Sequence, residues 1–226
     1  MLHRKTAVAA LGALLMAATL TACGGSGSAS ADPGTATATE VPAPSSSAPT
    51  PTPQAQLLSK KKLAAALLPL SAMPAGWSVD TSGSDSGDKT FCDYKQPHAA
   101  KIKLSRSFQK GGGLSASVAS VGLRQYASAK DAGEAFDALE HALQTCHNET
   151  YQGSRLTYTA MSVDKVGDRA LGVRIEGGGA TVLQQFTLDG PVLANVGTGG
   201  MANVDANETA QLLRKQVDRY EAAARG

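Results

Sequence analysis

The sequence predicts an α+β domain: an antiparallel twisted sheet with helices packed mainly on one face, braced by one disulfide. Three observations carry that reading. Apolar residues alternate with polar ones in several short runs, the period of half-buried strands. Two longer segments instead space their apolar residues by three and four, the period of amphipathic helices. The strand runs are joined by glycine-rich turns and not by helical crossovers, which makes hairpins and an antiparallel sheet the economical topology.

Taken in order, Ser59 to Leu68 reads as a short helix, with Ser59 as its cap and Leu63, Ala64 and Leu67 on a shared face. Pro69 and Pro74-Ala75-Gly76 end it. The Lys60-Lys61-Lys62 run is expected to be a solvated first turn. Residues 79–89 are polar and loop-like. Ile102, Leu104 and Phe108 then alternate with Lys101, Lys103, Ser105 and Ser107 as one strand, Gly111-Gly112-Gly113 turns the chain, and Ser115 to Tyr126 returns as a second. Ser128-Ala129-Lys130-Asp131 resembles a capping box. It leads into a helix whose inward stripe is Ala132, Ala135, Phe136, Leu139, Leu143 and Cys146. Strands follow at Leu156–Ala160, at Leu171–Ile175 after Val166-Gly167-Asp168, and at Thr181–Leu188 after Gly177-Gly178-Gly179. Asp189-Gly190 signals a two-residue hairpin into Val192, Ala194 and Val196. A last helix starts near Asp205, with Glu208 three residues on and Leu212, Leu213, Val217 and Tyr220 on its buried face.

The first 56 residues have another character. Arg4 and Lys5 precede an apolar stretch from Ala7 to Leu20, shorter than the roughly 20 residues a membrane span needs. That pattern is a secretory signal over residues 1–22. Leu20-Thr21-Ala22-Cys23 resembles the lipobox of bacterial lipoproteins. The resemblance implies cleavage before Cys23, diacylglycerol on its sulfur, and a partner in the membrane through that lipid. The expected location is the extracytoplasmic face of the cell membrane. Residues 24–56 are rich in Gly, Ser, Ala, Thr and Pro, carry only Asp32 and Glu40 as charges, and offer Val41 as their one large apolar side chain. Such a stretch cannot offset its ordering entropy and reads as a disordered linker. Residues 57–226 are expected to form one domain.

The chain has 21 Lys+Arg and 19 Asp+Glu; without Arg4 and Lys5 the two counts are equal. No basic excess is left to recruit nucleic acid, and none is expected as a partner. Of three cysteines, Cys23 goes to lipid. Cys92 and Cys146 remain, most simply as a disulfide in an oxidising compartment. Two separate buried thiols are the alternative.

No G-x-S-x-G elbow occurs, and S-x-x-K recurs at Ser59, Ser86, Ser107 and Ser162 without its companion motifs. His141, Cys146 and His147 lie close together but lack zinc-site spacing; with His98 they read as surface or helix-end residues. Gly-Thr-Gly-Gly at 197–200 has no Lys-Ser/Thr ending, so it reads as a loop needing positive backbone angles and not as a phosphate cradle. Arg106, Arg124 and Arg174 could line an anion groove if one sheet face gathered them, but charges on exposed strands commonly serve solubility. No catalytic residue, metal or cofactor is expected.

The layout as a whole resembles a known family. The opening Leu-Leu…Leu-Pro-Leu helix, Arg124-Gln125-Tyr126-Ala127-Ser128-Ala129-Lys130-Asp131-Ala132 leading to a helix that ends in Cys146, Val166-Gly167-Asp168-Arg169-Ala170, the Asp-Gly hairpin and the closing helix are similar to the PknH-type extracellular sensor domain of actinobacterial receptor kinases and cell-surface lipoproteins. That resemblance implies an antiparallel sheet flanked by helices, and a cleft for an unidentified ligand. This chain departs from the kinase pattern by showing no kinase domain and one disulfide where that domain has two, and no individual cleft residue transfers. The expected function is a non-catalytic ligand-binding or sensing module for a small-molecule or cell-wall ligand. An envelope structural or assembly lipoprotein, contacting proteins or wall polymers, is the alternative.

Overall fold

Ser59 starts the first helix as its side chain allows: its hydroxyl accepts from the Lys62 N–H at 3.3 Å, and α1 spans Lys60–Ala66. Lys60, Lys61 and Lys62 are exposed and Leu63 is buried. The computed structural model describes residues 57–81, 91–201 and 204–226. The leader, Cys23, the 24–56 stretch and most of the 79–89 loop lie outside the described residues.

Eight strands form one sheet: β1 (Trp77–Val79), β2 (Ile102–Lys110), β3 (Ser117–Gln125), β4 (Asn148–Tyr151), β5 (Ser154–Met161), β6 (Arg169–Gly177), β7 (Ala180–Asp189) and β8 (Val192–Gly200). Their order is β1-β2-β3-β8-β7-β6-β5-β4, and every neighbouring pair is antiparallel. The sheet is thus two meanders sutured along β3 and β8. The expected hairpins are all present. Gly178 and Gly179 take φ of 60° and 79° between β6 and β7, the positive angles that a tight hairpin turn demands of both central residues.

Three details depart from the sequence reading. Asp189 pairs with Val192 as the last residue of β7, so the two turn residues are Gly190 (φ 53°) and Pro191. Gly197, Gly199 and Gly200 are not a loop at positive φ; they lie inside β8. Their reason is close cross-strand approach: a Cβ on Gly197 would sit 3.0 Å from Ser120 Oγ, and one on Gly199 3.0 Å from Val182 Cγ2. The short edge strands β1 and β4 went unforeseen, because neither shows an alternating apolar pattern.

Two of the three helices share one sheet face and the third covers the other. Side chains alternate across a strand, and the register places Val121, Val196 and Gln185 on one face, with Leu123, Ala194 and Thr187 in the next row. Over this face lie α1 and α3 (Ala206–Arg225), where Leu63, Leu68, Phe108, Leu212, Leu213 and Tyr220 close a first core. The opposite face carries Leu193, Leu188, Phe186, Val173 and Tyr158 under α2 (Ala129–Thr145), whose Ala132, Ala135, Phe136 and Leu139 close a second. The path dictates this: α2 leaves β3 in the middle of the sheet and must cross one face to reach β4 at the far edge.

α1 has no glycine to end it, and its last polar groups are taken up by side chains from elsewhere. Gln216 Oε1 accepts from Leu68 N–H at 2.8 Å and its Nε2 donates to Ala66 O at 3.1 Å. Arg219 donates to Ala65 O and Arg106 to Leu68 O, both at 2.7 Å. Upstream, Gln125 donates to Leu58 O and accepts from Leu58 N–H, at 2.8 and 2.9 Å.

Cys92 and Cys146 are disulfide-bonded, with Cα atoms 5.7 Å apart and a sequence separation of 54. Cys146 is the C-cap of α2, where its stripe ends. Cys92 sits in a turn over Phe91–Asp93 at φ 41°, and the neighbouring Phe91 ring stands edge-on to Tyr158 and Phe186 at 5.8 and 6.0 Å. The bond staples this turn and the end of α2 over the second core.

A pH dependence arises at the β7–β8 hairpin. Burial, with Glu221 and Asp168 nearby, raises the Asp189 carboxyl to about 6, and its buried Oδ2 has no hydrogen-bond partner among the described residues. The folded protein therefore holds this proton more tightly than the unfolded chain. The associated stability is full below the ordinary carboxylate range and is lost as pH rises through 6. Asp189→Asn is expected to stabilise by about 1 kcal/mol at pH 7.5, after allowing for solvent screening. In thermal melts the gain should vanish near pH 4; an equal gain at both pH values would mean that charge is not the cause.

Candidate functional site

The described residues form a small cleft where β1, β2, β3 and β8 meet the start of α3. Its volume is about 140 Å³, and Trp77, Lys110, Ser117, Thr198, Asp205 and Glu208 are among its lining residues. Strand pairing assembles it: Trp77 is opposite Lys110, Lys110 opposite Ser117, and Ser117 opposite Gly200. Period two turns Trp77, Lys110 and Ser117 toward the α3 face, beside Thr198.

The geometry is fixed by specific bonds. Trp77 is the chain's one tryptophan, and its indole N–H donates to Glu208 Oε1 at 2.9 Å, tying edge strand β1 to α3. Asp205 caps α3 by accepting from the Asn207 N–H at 2.8 Å. Glu208, three residues past the cap, turns to the indole. Both carboxylates sit at a helix N-terminus, where the helix dipole favours negative charge. Thr198 and Thr209 pair their hydroxyls at 2.5 Å beneath the cleft. The Lys110 ammonium lies over the Trp77 ring, 6.0 Å from its centroid.

Exposed apolar side chains gather at the same end of the sheet. Val79 on β1, Leu114 in the β2–β3 turn, Val118 on β3 and Met201 just past β8 are all exposed, Leu114 at 77%. Single exposed apolar residues are ordinary, and alternation turns Val118 to the sheet face opposite Trp77, Lys110 and Ser117.

The residues singled out by sequence do not converge here. His98 bonds Glu134 on α2, while His141 and His147 are exposed. Cys146 is committed to its disulfide, and among the described residues no group of three His, Cys, Asp or Glu side chains could hold a metal. Arg106 and Arg124 sit on opposite faces of the sheet, and Arg174 bonds Glu176 at 2.8 Å. The arginines make no groove. Sequence reasoning missed Trp77 and Lys110, and met Asp205 and Glu208 only as a helix start.

An eight-stranded antiparallel sheet between helices is a fold also seen in a bacterial extracellular domain. The chain matches the extracellular domain of PknH from Mycobacterium tuberculosis with a TM-score of 0.55 and 14% sequence identity, over 74% of this chain and 99% of that one. No family model and no curated protein matches the sequence. Among the described residues, no helix is long and apolar enough to cross a membrane.

Proposed function

We propose that the protein is a non-catalytic, extracytoplasmic binding or sensing module, held at the membrane by lipid on Cys23, which uses the cleft around Trp77. The observation that carries this reading is the immobilised constellation at the end of the sheet. An indole, two carboxylates, an amine and two hydroxyls converge there, and the indole and both carboxylates are already hydrogen-bonded in place. Shared fold with an extracellular domain supports the compartment. The disulfide fits an oxidising one. Small-molecule pockets usually exceed about 300 Å³. A cleft of about 140 Å³ suits one functional group of a ligand whose remainder lies outside it.

The exposed apolar side chains Leu114, Val118 and Met201 are the observation favouring an assembly role, in which they dock another envelope protein. The test is whether full-length protein isolated from its own cells retains a small molecule and releases it chemically unchanged. Retention of a protein alone would favour assembly.

A further inference from the structure

The lining of the cleft is specific about charge. Asp205 and Glu208 contribute two carboxylates and Lys110 the one cation. The carboxylates are held by the Asn207 N–H and the Trp77 indole. Lys110, by contrast, is an exposed side chain on a flexible stem. Among the described residues its amine pairs with neither carboxylate and lies instead over the indole ring. An ammonium over the face of a tryptophan is attracted by the ring quadrupole. The Lys110 amine, 6.0 Å from the ring centroid, is at the outer reach of such a contact.

Other ligand chemistries fit less well. A helix N-terminus attracts anions, but at α3 Asp205 and Glu208 occupy that position and would repel one. A divalent cation wants more oxygen ligands than two carboxylates supply, and no three-ligand group is present among the described residues.

We propose that the cleft seats a primary ammonium group of its ligand over the face of the Trp77 ring, where the Lys110 ammonium lies, with the Asp205 and Glu208 carboxylates as the negative charges of the lining. The inference rests on the binding function proposed for this cleft and gives it a chemical class: amine-bearing molecules. Lys110 then acts as a tethered competitor that a ligand amine displaces.

Trp77, as the only indole, reports the site in the full-length protein. Its fluorescence is titrated at neutral pH with n-butylammonium chloride, and with n-butanol and N-butylacetamide as uncharged counterparts, at constant ionic strength. The expected result is a saturable change with butylammonium alone, weakened about tenfold in Glu208→Gln, which keeps an acceptor for the indole but loses the charge. Lys110→Ala should tighten the same binding. Equal responses to all three probes would overturn the ammonium assignment while leaving a binding cleft in place. No saturable response to any probe, in either the native protein or Lys110→Ala, would overturn both. Unchanged affinity in Glu208→Gln would overturn the assignment of its carboxylate.

Discussion

Replacing Cys92 or Cys146 with alanine is expected to lower the stability of the domain by about 2–5 kcal/mol, a large share of the 5–15 kcal/mol typical of a folded domain. The bond closes a span of 54 residues, for which the chain-entropy account gives about 4 kcal/mol. Its position adds to this. It joins the end of α2 to the turn carrying Phe91, which packs on Tyr158 and Phe186, so its loss frees a flap over the second core. Each single variant removes the same bond, so the two should lose similar amounts and the double variant little more than either. Urea unfolding measures all three. Losses that add across the two sites would show that the bond does not contribute as a unit, and two free thiols in the unreduced unfolded protein would show that it does not form.

The second large effect is expected at Gln216, which is fully buried. Gln216→Ala removes both hydrogen bonds to the end of α1, leaving Leu68 N–H and Ala66 C=O without their partner in a buried setting. An unpaired buried polar group costs about 1–3 kcal/mol, so the expected loss is about 2–4 kcal/mol, with the cavity included. Arg219→Ala removes a neighbouring bond made at the surface, to Ala65 O. It should cost less than about 1 kcal/mol. The comparison is read from urea midpoints at unchanged denaturant slope. Equal costs at the two positions would mean that burial of the Gln216 amide is not what matters.

Gln216 also shows where the sequence stops being legible. A glutamine in an amphipathic helix reads as solvent-facing, and only the packing of α1 on α3 turns it into a cap for another helix. By contrast, α2 was legible because Ser128 can cap it and its buried stripe runs unbroken from Ala132 to Leu139. The hairpins were legible because Gly177-Gly178-Gly179 and Asp189-Gly190 fall between alternating runs. β1 and β4 were not. They lie at the sheet edges with no alternating apolar run, and Trp77 follows Gly76 in what reads as a loop. The Gly197–Gly200 stretch misleads for a related reason: glycine serves a bent backbone and a crowded sheet equally well, and only the register against Ser120 and Val182 distinguishes them. The helix on the second face became necessary only once β3 and β8 were known to pair.

The cleft was the least legible feature. Its residues come from β1, β2, β3, β8 and the start of α3, segments separated by up to about 130 positions in the chain and joined by pairings that no local pattern announces. Asp205 and Glu208 stand at the spacing of a helix-capping pair, and that reading is half right: Asp205 caps α3, while Glu208 is engaged by Trp77.

The function proposed for this end of the sheet is to bind a ligand without transforming it. Native mass spectrometry of the full-length protein isolated from its own cells, beside a Trp77→Ala variant shown to be folded by circular dichroism, tests it most directly. The account predicts one small molecule per native chain, released intact, and its loss or near loss from the variant. Equal occupancy of both proteins, or release of a chemically altered molecule, would contradict it.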